Sequence, residues 1–228
     1  MAAPSTRSAP RLAAASVRER VPAARAVANG NEANRRAEIV RLAARLFREQ
    51  GFDGTTVRAI ASAVGMRSGS PFYHFASKEE ILFAVMEEGL RQGLARTEAV
   101  LAQHTGARER FVALMHAHFA TILEDGSDFV PVMLYEWRRL PPVYRKRLIA
   151  VKDRYDALWQ RVIEELAAAG LLRGDVKLAR LLILGAVNFA ATWFKRGGEL
   201  SIDELAQASA EFFLLPAGEA RLRRRGAA

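Results

Sequence analysis

Residues 55–75, Thr-Thr-Val-Arg-Ala-Ile-Ala-Ser-Ala-Val-Gly-Met-Arg-Ser-Gly-Ser-Pro-Phe-Tyr-His-Phe, predict two short helices joined by a tight turn. The first helix carries apolar side chains at the spacing of one buried stripe, namely Val57, Ile60, Ala61 and Val64. Gly65 follows where a helix needs a left-handed residue to turn sharply. The next helix is predicted to begin at Ser68, with Pro71 tolerated in its first turn. This arrangement places one helix in the major groove of DNA, so DNA binding is the leading hypothesis.

The flanks of this motif extend the pattern in both directions. Residues 44–52 read Ala-Arg-Leu-Phe-Arg-Glu-Gln-Gly-Phe, and residues 72–82 read Phe-Tyr-His-Phe-Ala-Ser-Lys-Glu-Glu-Ile-Leu. Together with Thr-Thr-Val-Arg-Ala-Ile-Ala at 55–61, these segments resemble the DNA-binding domain of the tetracycline-repressor (TetR) family of bacterial regulators. Pro71 departs from the family pattern, which more often has leucine or another aliphatic residue at this position.

The resemblance implies an all-α protein with two domains. We expect a disordered basic arm at 1–32, a three-helix helix-turn-helix DNA-binding domain at 33–94 with its motif at about 56–75, a larger helical ligand-binding and dimerisation domain at 95–216, and a basic tail at 217–228. The implied function is a DNA-binding transcriptional regulator, a repressor that a small-molecule effector releases from its operator. The alternative is a helical ligand-binding or adaptor protein without specific DNA binding.

The candidate DNA contacts lie on and beside the second helix of the motif. We expect phosphate contacts from Thr55, Thr56, Tyr73 and Lys78, and base contacts from Arg67, Ser68, Ser70 and His74. Arg58 and Gly69 complete the predicted DNA-binding set.

The composition fits a globular protein with a polyanionic partner. Half of the residues are hydrophobic, and 34 Lys and Arg against 25 Asp and Glu give a formal charge of +9. Such an excess favours DNA and makes the affinity salt-dependent, although a merely basic soluble protein has the same charge. The chain has no cysteine, which excludes disulfides and Cys-ligated metals and is compatible with the cytoplasm.

Neither terminus predicts export or membrane insertion. The first 32 residues are rich in Ala, Arg, Ser and Pro and lack the apolar core of a secretory signal. They are read as an arm that contacts phosphates, as a solvated tail or as an organellar transit peptide. The longest apolar run, residues 181–194, is too short to span a bilayer, so no membrane partner is expected.

Helical periodicity continues through the rest of the chain. We expect helices at about 34–50, from the capping box at Ser77 and Glu80 to about 103, at about 111–122, at 128–140, at 144–169, from the Asp175 cap to about 195, and at 202–215.

The helix at 177–194 carries no charge between Arg180 and Lys195 and is apolar on all sides. A helix of this kind is buried on all sides, either as one central core helix or with a second chain covering part of it. The resemblance also implies pairing through the last two long helices. The predicted homodimer interface consists of Leu182, Gly185, Ala186, Phe189, Ala190, Trp193 and Phe212.

Aromatic and polar residues on several helices of the larger domain form a candidate effector pocket, with ordinary core packing as the alternative for each one. The set consists of Phe111, Met115, His118, Phe119, Met133, Trp137, Tyr155, Trp159, Asn188 and Trp193. Residues 134–142, 153–155 and 188–194 also resemble family members that sense acyl-CoA thioesters, with Arg138, Arg139, Arg154 and Arg161 placed to meet CoA phosphates. The competing hypothesis is an aromatic or drug-like effector bound without charge pairing.

Catalytic and metal chemistry find no support in the sequence. His116 and His118 are two residues apart on a helix, so they point in different directions and cannot chelate one metal. The sequence lacks a glycine-rich phosphate loop and a nucleophile elbow. We therefore expect no enzyme activity, no catalytic residues, no metal and no cofactor.

Overall fold

The computed structural model describes residues 23–66, 73–124, 128–172 and 174–216, and these residues are helical apart from their connections. They form α1 (Ala23–Gly54), α2 (Val57–Ala63), α3 (Lys78–Leu101), α4 (Ala107–Leu123), α5 (Phe129–Glu136), α6 (Pro142–Ala168), α7 (Val176–Trp193) and α8 (Ile202–Phe213). A 3-10 turn, Trp137–Arg139, follows α5. The predicted all-α fold is confirmed.

Two boundaries differ from the sequence prediction. The backbone of α1 is helical from Ala23, before the predicted start near Asn34, and an alanine-rich stretch with high helix propensity precedes that residue. Residues 23–32 are therefore helical and not part of a disordered arm, while residues 1–22 lie outside the described part. Gly51 interrupts α1 with a φ of 71°, at the predicted stop.

Residues 36–228 form one compact unit, and the described residues of the other unit, 23–35, are helical. The larger unit contains two hydrophobic cores. The first core joins α1 and α2 to the N-terminal half of α3 and to α5 and α6, through buried residues such as Phe47, Phe75 and Leu148. The second joins the C-terminal end of α3 to α4, α6, α7 and α8, around Trp159. The helices of the DNA-binding motif thus share a core with the helices that follow them.

Side-chain caps fix the helix starts that position the candidate sites. Ser77 accepts a hydrogen bond from the backbone N–H of Glu80, whose carboxylate in turn accepts from the N–H of Ala76. Asp175 caps α7 through the N–H of Leu178. Ser201 and Glu204 form a complete capping box at the start of α8.

Candidate functional site

The described flanks of the helix-turn-helix motif present a polar surface. Thr56 caps α2 by accepting a 3.0 Å hydrogen bond from the N–H of Ala59, and its side chain is exposed together with that of Arg58. Gly65 adopts the expected left-handed conformation, with a φ of 68°. The candidate base contacts Arg67, Ser68, Gly69 and Ser70 lie outside the described residues, which resume at Tyr73.

Tyr73 and His74 stand at the far end of this surface. Tyr73 is 79% exposed, and its ring meets the ring of His74 edge-on at 5.3 Å between centroids. The next residue, Phe75, is buried as predicted, with the guanidinium of Arg36 4.6 Å from its ring centroid. The alternation leaves the Tyr73 side chain exposed at the surface, while Phe75 anchors the segment in the core.

Thr55 is not available for a phosphate contact, contrary to the sequence prediction. It is fully buried, and its hydroxyl lies 3.1 Å from the carbonyl oxygen of Leu46 and 2.8 Å from that of Gly51. The single hydroxyl proton is shared between these two carbonyl oxygens, one before the Gly51 kink in α1 and one at it. Thr55 shapes the turn before α2 and does not face DNA.

Lys78 also has a structural role that the sequence did not reveal. Its ammonium donates to the carbonyl oxygens of Phe52 (2.8 Å) and Thr55 (2.9 Å) and lies 4.1 Å from the ring centroid of Phe52. With two of its three protons on backbone carbonyls, Lys78 ties the start of α3 to the turn before α2. The third proton is not used by these bonds, so the predicted phosphate contact of Lys78 stays a prediction.

A partly open cavity of about 260 Å³ lies between α3, α4, α5, α6 and α7. Its walls are mostly aliphatic, with a polar patch and a charged patch. It is lined by Gly89, Leu90, Gly93, His118, Thr121, Ile122, Val130, Met133, Leu134, Lys152, Tyr155, Asp156, Arg180, Leu181, Leu184 and Asn188. Four of the predicted pocket residues, His118, Met133, Tyr155 and Asn188, are in this lining.

The other predicted pocket residues do not line the cavity. Phe111, Met115, Phe119 and Trp159 are fully buried in the second core, and Trp137 packs against the first core. Trp193 is half exposed at the end of α7. Periodicity identifies which side of a helix is buried, but it cannot distinguish a side chain that fills the core from one beside an empty space.

The glycines of α3 are a sequence signal for close packing beside the cavity. Gly89 and Gly93 are four residues apart, and glycine in a helix interior is unfavourable, so the pair indicates close approach by other groups. A Cβ atom on Gly89 would lie 2.7 Å from the Cβ of Phe129, and one on Gly93 would lie 3.2 Å from the Thr121 methyl group. Both glycines line the cavity.

The polar patch of the cavity centres on His118 and Tyr155. The Nδ1 atom of His118 lies 2.9 Å from the hydroxyl of Tyr155, whereas its Nε2 atom is buried without a hydrogen-bond partner. Burial lowers the pKa of His118 to about 4, partly opposed by Asn188. Burial raises the pKa of Tyr155 to about 12. Both side chains are therefore neutral at physiological pH.

The charged patch combines two cations with one carboxylate. Asp156 lies 2.5 Å from the ammonium of Lys152 and 3.5 Å from a guanidinium nitrogen of Arg180, and Arg180 Nε is buried without a partner. The patch carries a net charge of about +1.

Two arginines expected to meet CoA phosphates have carboxylate partners elsewhere, Arg139 at Asp53 and Arg154 at Glu98. Neither they nor Arg138 and Arg161 line the cavity.

A separate apolar face runs along α7 and α8. Within this chain only Ile183, Val187 and Ala190 of α7 are buried, which makes the single central core helix wrong. The exposed large side chains of this face are Leu178, Leu181, Leu182, Phe189, Trp193 and Phe212. Gly185 and Ala186 are exposed among them, and a Cβ atom on Gly185 would meet nothing within 4 Å.

Ala190 is an exception to the predicted interface, because its own chain covers it. It is 1% exposed and belongs to the second core.

By length and composition alone, α7 is also able to cross a membrane, with a mean hydropathy of 1.3. The apolar run that is apparent in the sequence, residues 181–194, is shorter than this helix because it leaves out the first turn of α7.

Metal binding finds no support among the described residues, which contain no group of three or more His, Asp or Glu side chains able to hold an ion. His116 instead pairs with Asp203 at 2.7 Å, away from the cavity.

Comparison with known families gives two matches. Residues 39–85 match the model of bacterial regulatory proteins of the tetR family, and residues 104–216 match a tetracyclin repressor-like C-terminal domain.

Individual relatives agree with these matches. The HTH-type transcriptional repressor KstR2 of Mycolicibacterium smegmatis is 31% identical over 178 residues, which are 77% of this chain and 86% of the relative. The crystal structure of the superantigen PfiT is 40% identical, with a TM-score of 0.68 and coverage of 79% and 96% of the two chains. That of AibR in complex with isovaleryl coenzyme A and operator DNA is 26% identical, with a TM-score of 0.74 and coverage of 80% and 99%.

Proposed function

Because the chain belongs to the TetR family of bacterial transcriptional regulators, we propose that it binds a near-palindromic operator as a homodimer and leaves it when an acyl-CoA thioester enters the cavity. It is a helix-turn-helix transcriptional repressor and not an enzyme. Residues 33–94 are proposed as the DNA-binding domain and 95–216 as the effector and dimerisation domain. The cytoplasm, where DNA is accessible, is the proposed location.

The proposed DNA surface consists of the exposed flanks of the motif and the segment between them. Arg67, Ser68, Ser70 and His74 are proposed to contact base edges, with Gly69 permitting close approach of the backbone. Thr56, Arg58 and Tyr73 are proposed to contact phosphates, and their exposure supports this role. Two copies related by a twofold axis require half-sites whose centres lie about 34–36 Å apart or a multiple of that distance.

The proposed dimer interface is the apolar face of α7 and α8. Large exposed apolar patches on a protein surface mark interaction sites. Phe212 is 85% exposed, and a groove of about 340 Å³ beside it separates α7 from α8. A second copy that presents the same face would bury these side chains on both molecules at once.

The cavity is the observation that carries the effector proposal. Effector sites are concave and mostly apolar, with a few polar groups that fix orientation, and the aliphatic walls, neutral polar patch and cationic patch match this description. The acyl part is proposed to occupy the aliphatic space, and an anionic part of the CoA to meet Lys152 and Arg180. The CoA ligand of AibR, which resembles this chain along most of its length, supports the same assignment.

Two measurements test the proposal in sequence. Selection of genomic fragments with the purified protein should enrich one near-palindromic sequence, and recovery of none would favour the helical adaptor without DNA binding. Operator release should then be measured with isovaleryl-CoA, isovalerate, free CoA and an uncharged aromatic compound. Release by isovaleryl-CoA but not by the other three supports the thioester. Release by the aromatic compound alone would overturn the thioester and leave the repressor function intact.

A further inference from the structure

The side chain of His118 is buried, and its Nε2 atom has no hydrogen-bond partner among the described residues. Its side chain is 4% exposed, it lines the cavity, and Nε2 completes no hydrogen bond within the described part of the chain. Leaving such a group unsatisfied is costly, so native structures that retain one usually offer it to water or a ligand. The side chain of Asn188, which lines the same cavity, is close enough to raise the pKa of His118 as a hydrogen-bonding neighbour, but its geometry does not complete a hydrogen bond to Nε2.

The hydrogen-bond network determines which nitrogen of His118 carries the proton. Tyr155 is near Thr97 and Trp159, but neither Thr97 Oγ1 nor Trp159 Nε1 completes a hydrogen bond. The hydroxyl proton of Tyr155 therefore goes to the acceptor at 2.9 Å, the Nδ1 atom of His118. With Nδ1 as acceptor, the neutral ring carries its proton on Nε2, which makes Nε2 an unsatisfied donor.

The size of the cavity limits what the donor can meet. The volume of about 260 Å³ is below the roughly 300–1,000 Å³ that is typical of pockets for drug-sized ligands. A short branched or linear acyl group fits this space, and the bulk of a CoA does not. The acyl carbonyl is then the part of a thioester that comes within reach of His118.

We propose that His118 selects effectors with a carbonyl oxygen by donating the Nε2–H hydrogen bond to that oxygen. The inference rests on the proposed effector function and names the atom of the effector that the cavity recognises. A neutral carbonyl is favoured over a carboxylate, because the ring is neutral and a buried carboxylate needs a paired charge. The cations of the cavity, Lys152 and Arg180, are on the charged patch with Asp156.

The experiment compares two probes that differ in one oxygen atom. Isovaleryl-CoA carries the carbonyl, and S-(3-methylbutyl)-CoA has a methylene group in its place. Calorimetric titration of the full chain should give about tenfold tighter binding of the thioester, which corresponds to about 1.4 kcal/mol. A site built around a hydrogen bond rejects the analogue that lacks it, because its own group then stays unpaired.

Two variants assign the preference to His118. His118→Phe keeps an aromatic ring but removes the donor, so both probes should bind with affinities within about twofold of each other. His118→Gln retains an N–H donor and should keep part of the preference. His116→Phe, two residues away and paired with Asp203 on the surface, is the matched control and should bind both probes as the wild type does.

The outcomes separate the inference from the function on which it rests. Equal binding of the two probes by the wild type would overturn the role of His118 and leave the acyl-CoA effector standing. An unchanged preference in His118→Phe would assign it to another residue and also overturn the inference. If neither probe bound while the operator did, the effector proposal and the inference would fail together, and the repressor would remain. If His118→Phe does not fold, His118→Gln takes its place, and an undiminished preference in that variant would overturn the inference.

Discussion

The backbone N–H of Phe52 donates a 2.9 Å hydrogen bond to the carboxylate of Glu136, 84 residues further along the chain. Phe52 lies in the last turn of α1, just before α2, and Glu136 is the last residue of α5. An ion pair between Asp53 and Arg139 lies beside this bond. Because α5 also contributes Val130 and Met133 to the cavity lining, one short helix contacts both the cavity and the end of α1 that leads into the helix-turn-helix motif.

The first prediction concerns this connection. Glu136→Ala removes the acceptor, so movement of α5 should no longer be transmitted to the turn before α2. The factor by which isovaleryl-CoA weakens operator binding should then fall by about tenfold, or about 1.4 kcal/mol, within the usual range of coupling free energies. Fluorescence anisotropy of labelled operator, with and without the thioester, measures this factor.

Two controls define what the Glu136 result means. Glu136→Gln retains a side-chain oxygen that can accept from Phe52, and it should keep most of the coupling. Glu164→Ala removes an exposed carboxylate on α6 that bonds Gln160, and it should change nothing. Full coupling in Glu136→Ala would show that the signal takes another route.

The second prediction separates two adjacent threonines. Thr55→Val removes a buried hydroxyl and the hydrogen bond that it shares between the carbonyls of Leu46 and Gly51, so we expect a loss of about 1–3 kcal/mol in the free energy of unfolding. Thr56→Ala removes only the cap of α2, which typically costs about 1 kcal/mol. Urea denaturation measures both. A smaller loss for Thr55→Val than for Thr56→Ala would contradict the structural role assigned to Thr55.

These threonines show how far the sequence could predict the structure. The periodicity of Ile60, Val64 and their neighbours gave the helices, and Gly51 and Gly65 gave the turns, because those signals are local. Thr55 and Lys78 were placed on the DNA surface by their position in the motif. Their carbonyl partners depend on how the end of α1, the turn and the start of α3 meet, which no local pattern specifies.

The cavity illustrates the same limit in the larger domain. His118, Tyr155 and Asn188 were predicted because polar groups on apolar helix faces stand out. Lys152, Asp156 and Arg180 were missed, since a charged residue on a helix usually faces solvent. The spacing of Lys152 and Asp156 on α6 is that of a helical i,i+4 pair, but Arg180 of α7 joins them beside a cavity only through the packing of the two helices.

The third prediction concerns the proposed dimer. Phe189→Asp places a charge on the apolar face of α7, where burial against a second copy would be costly, so the protein should sediment as a folded monomer. Val143→Asp is the matched control, because Phe189 and Val143 are both 64% exposed and Val143 lies on α6. Ala190 is not a suitable position, since a charge there would disrupt the core of its own chain. An intact Phe189→Asp dimer would exclude this face.

The last prediction is a pH dependence of stability that arises from His118. Burial lowers the pKa of His118 from 6.5 in the unfolded chain to about 4 in the folded protein. As the pH falls below about 6.5, the unfolded state binds the proton first, so the free energy of unfolding decreases until about pH 4. Each pKa unit corresponds to about 1.4 kcal/mol, which sets the largest loss from this residue at about 3 kcal/mol.

The His118→Gln variant isolates this contribution from all other titrating groups. The difference in unfolding free energy between wild type and variant should be constant above about pH 7 and change between pH 6.5 and 4, with the wild type losing more as the pH falls. Urea denaturation at half-unit steps of pH measures it. A difference that stayed constant throughout this range would mean that His118 titrates normally in the folded protein. The ring would then be hydrated, and the unsatisfied donor that underlies carbonyl recognition would not exist.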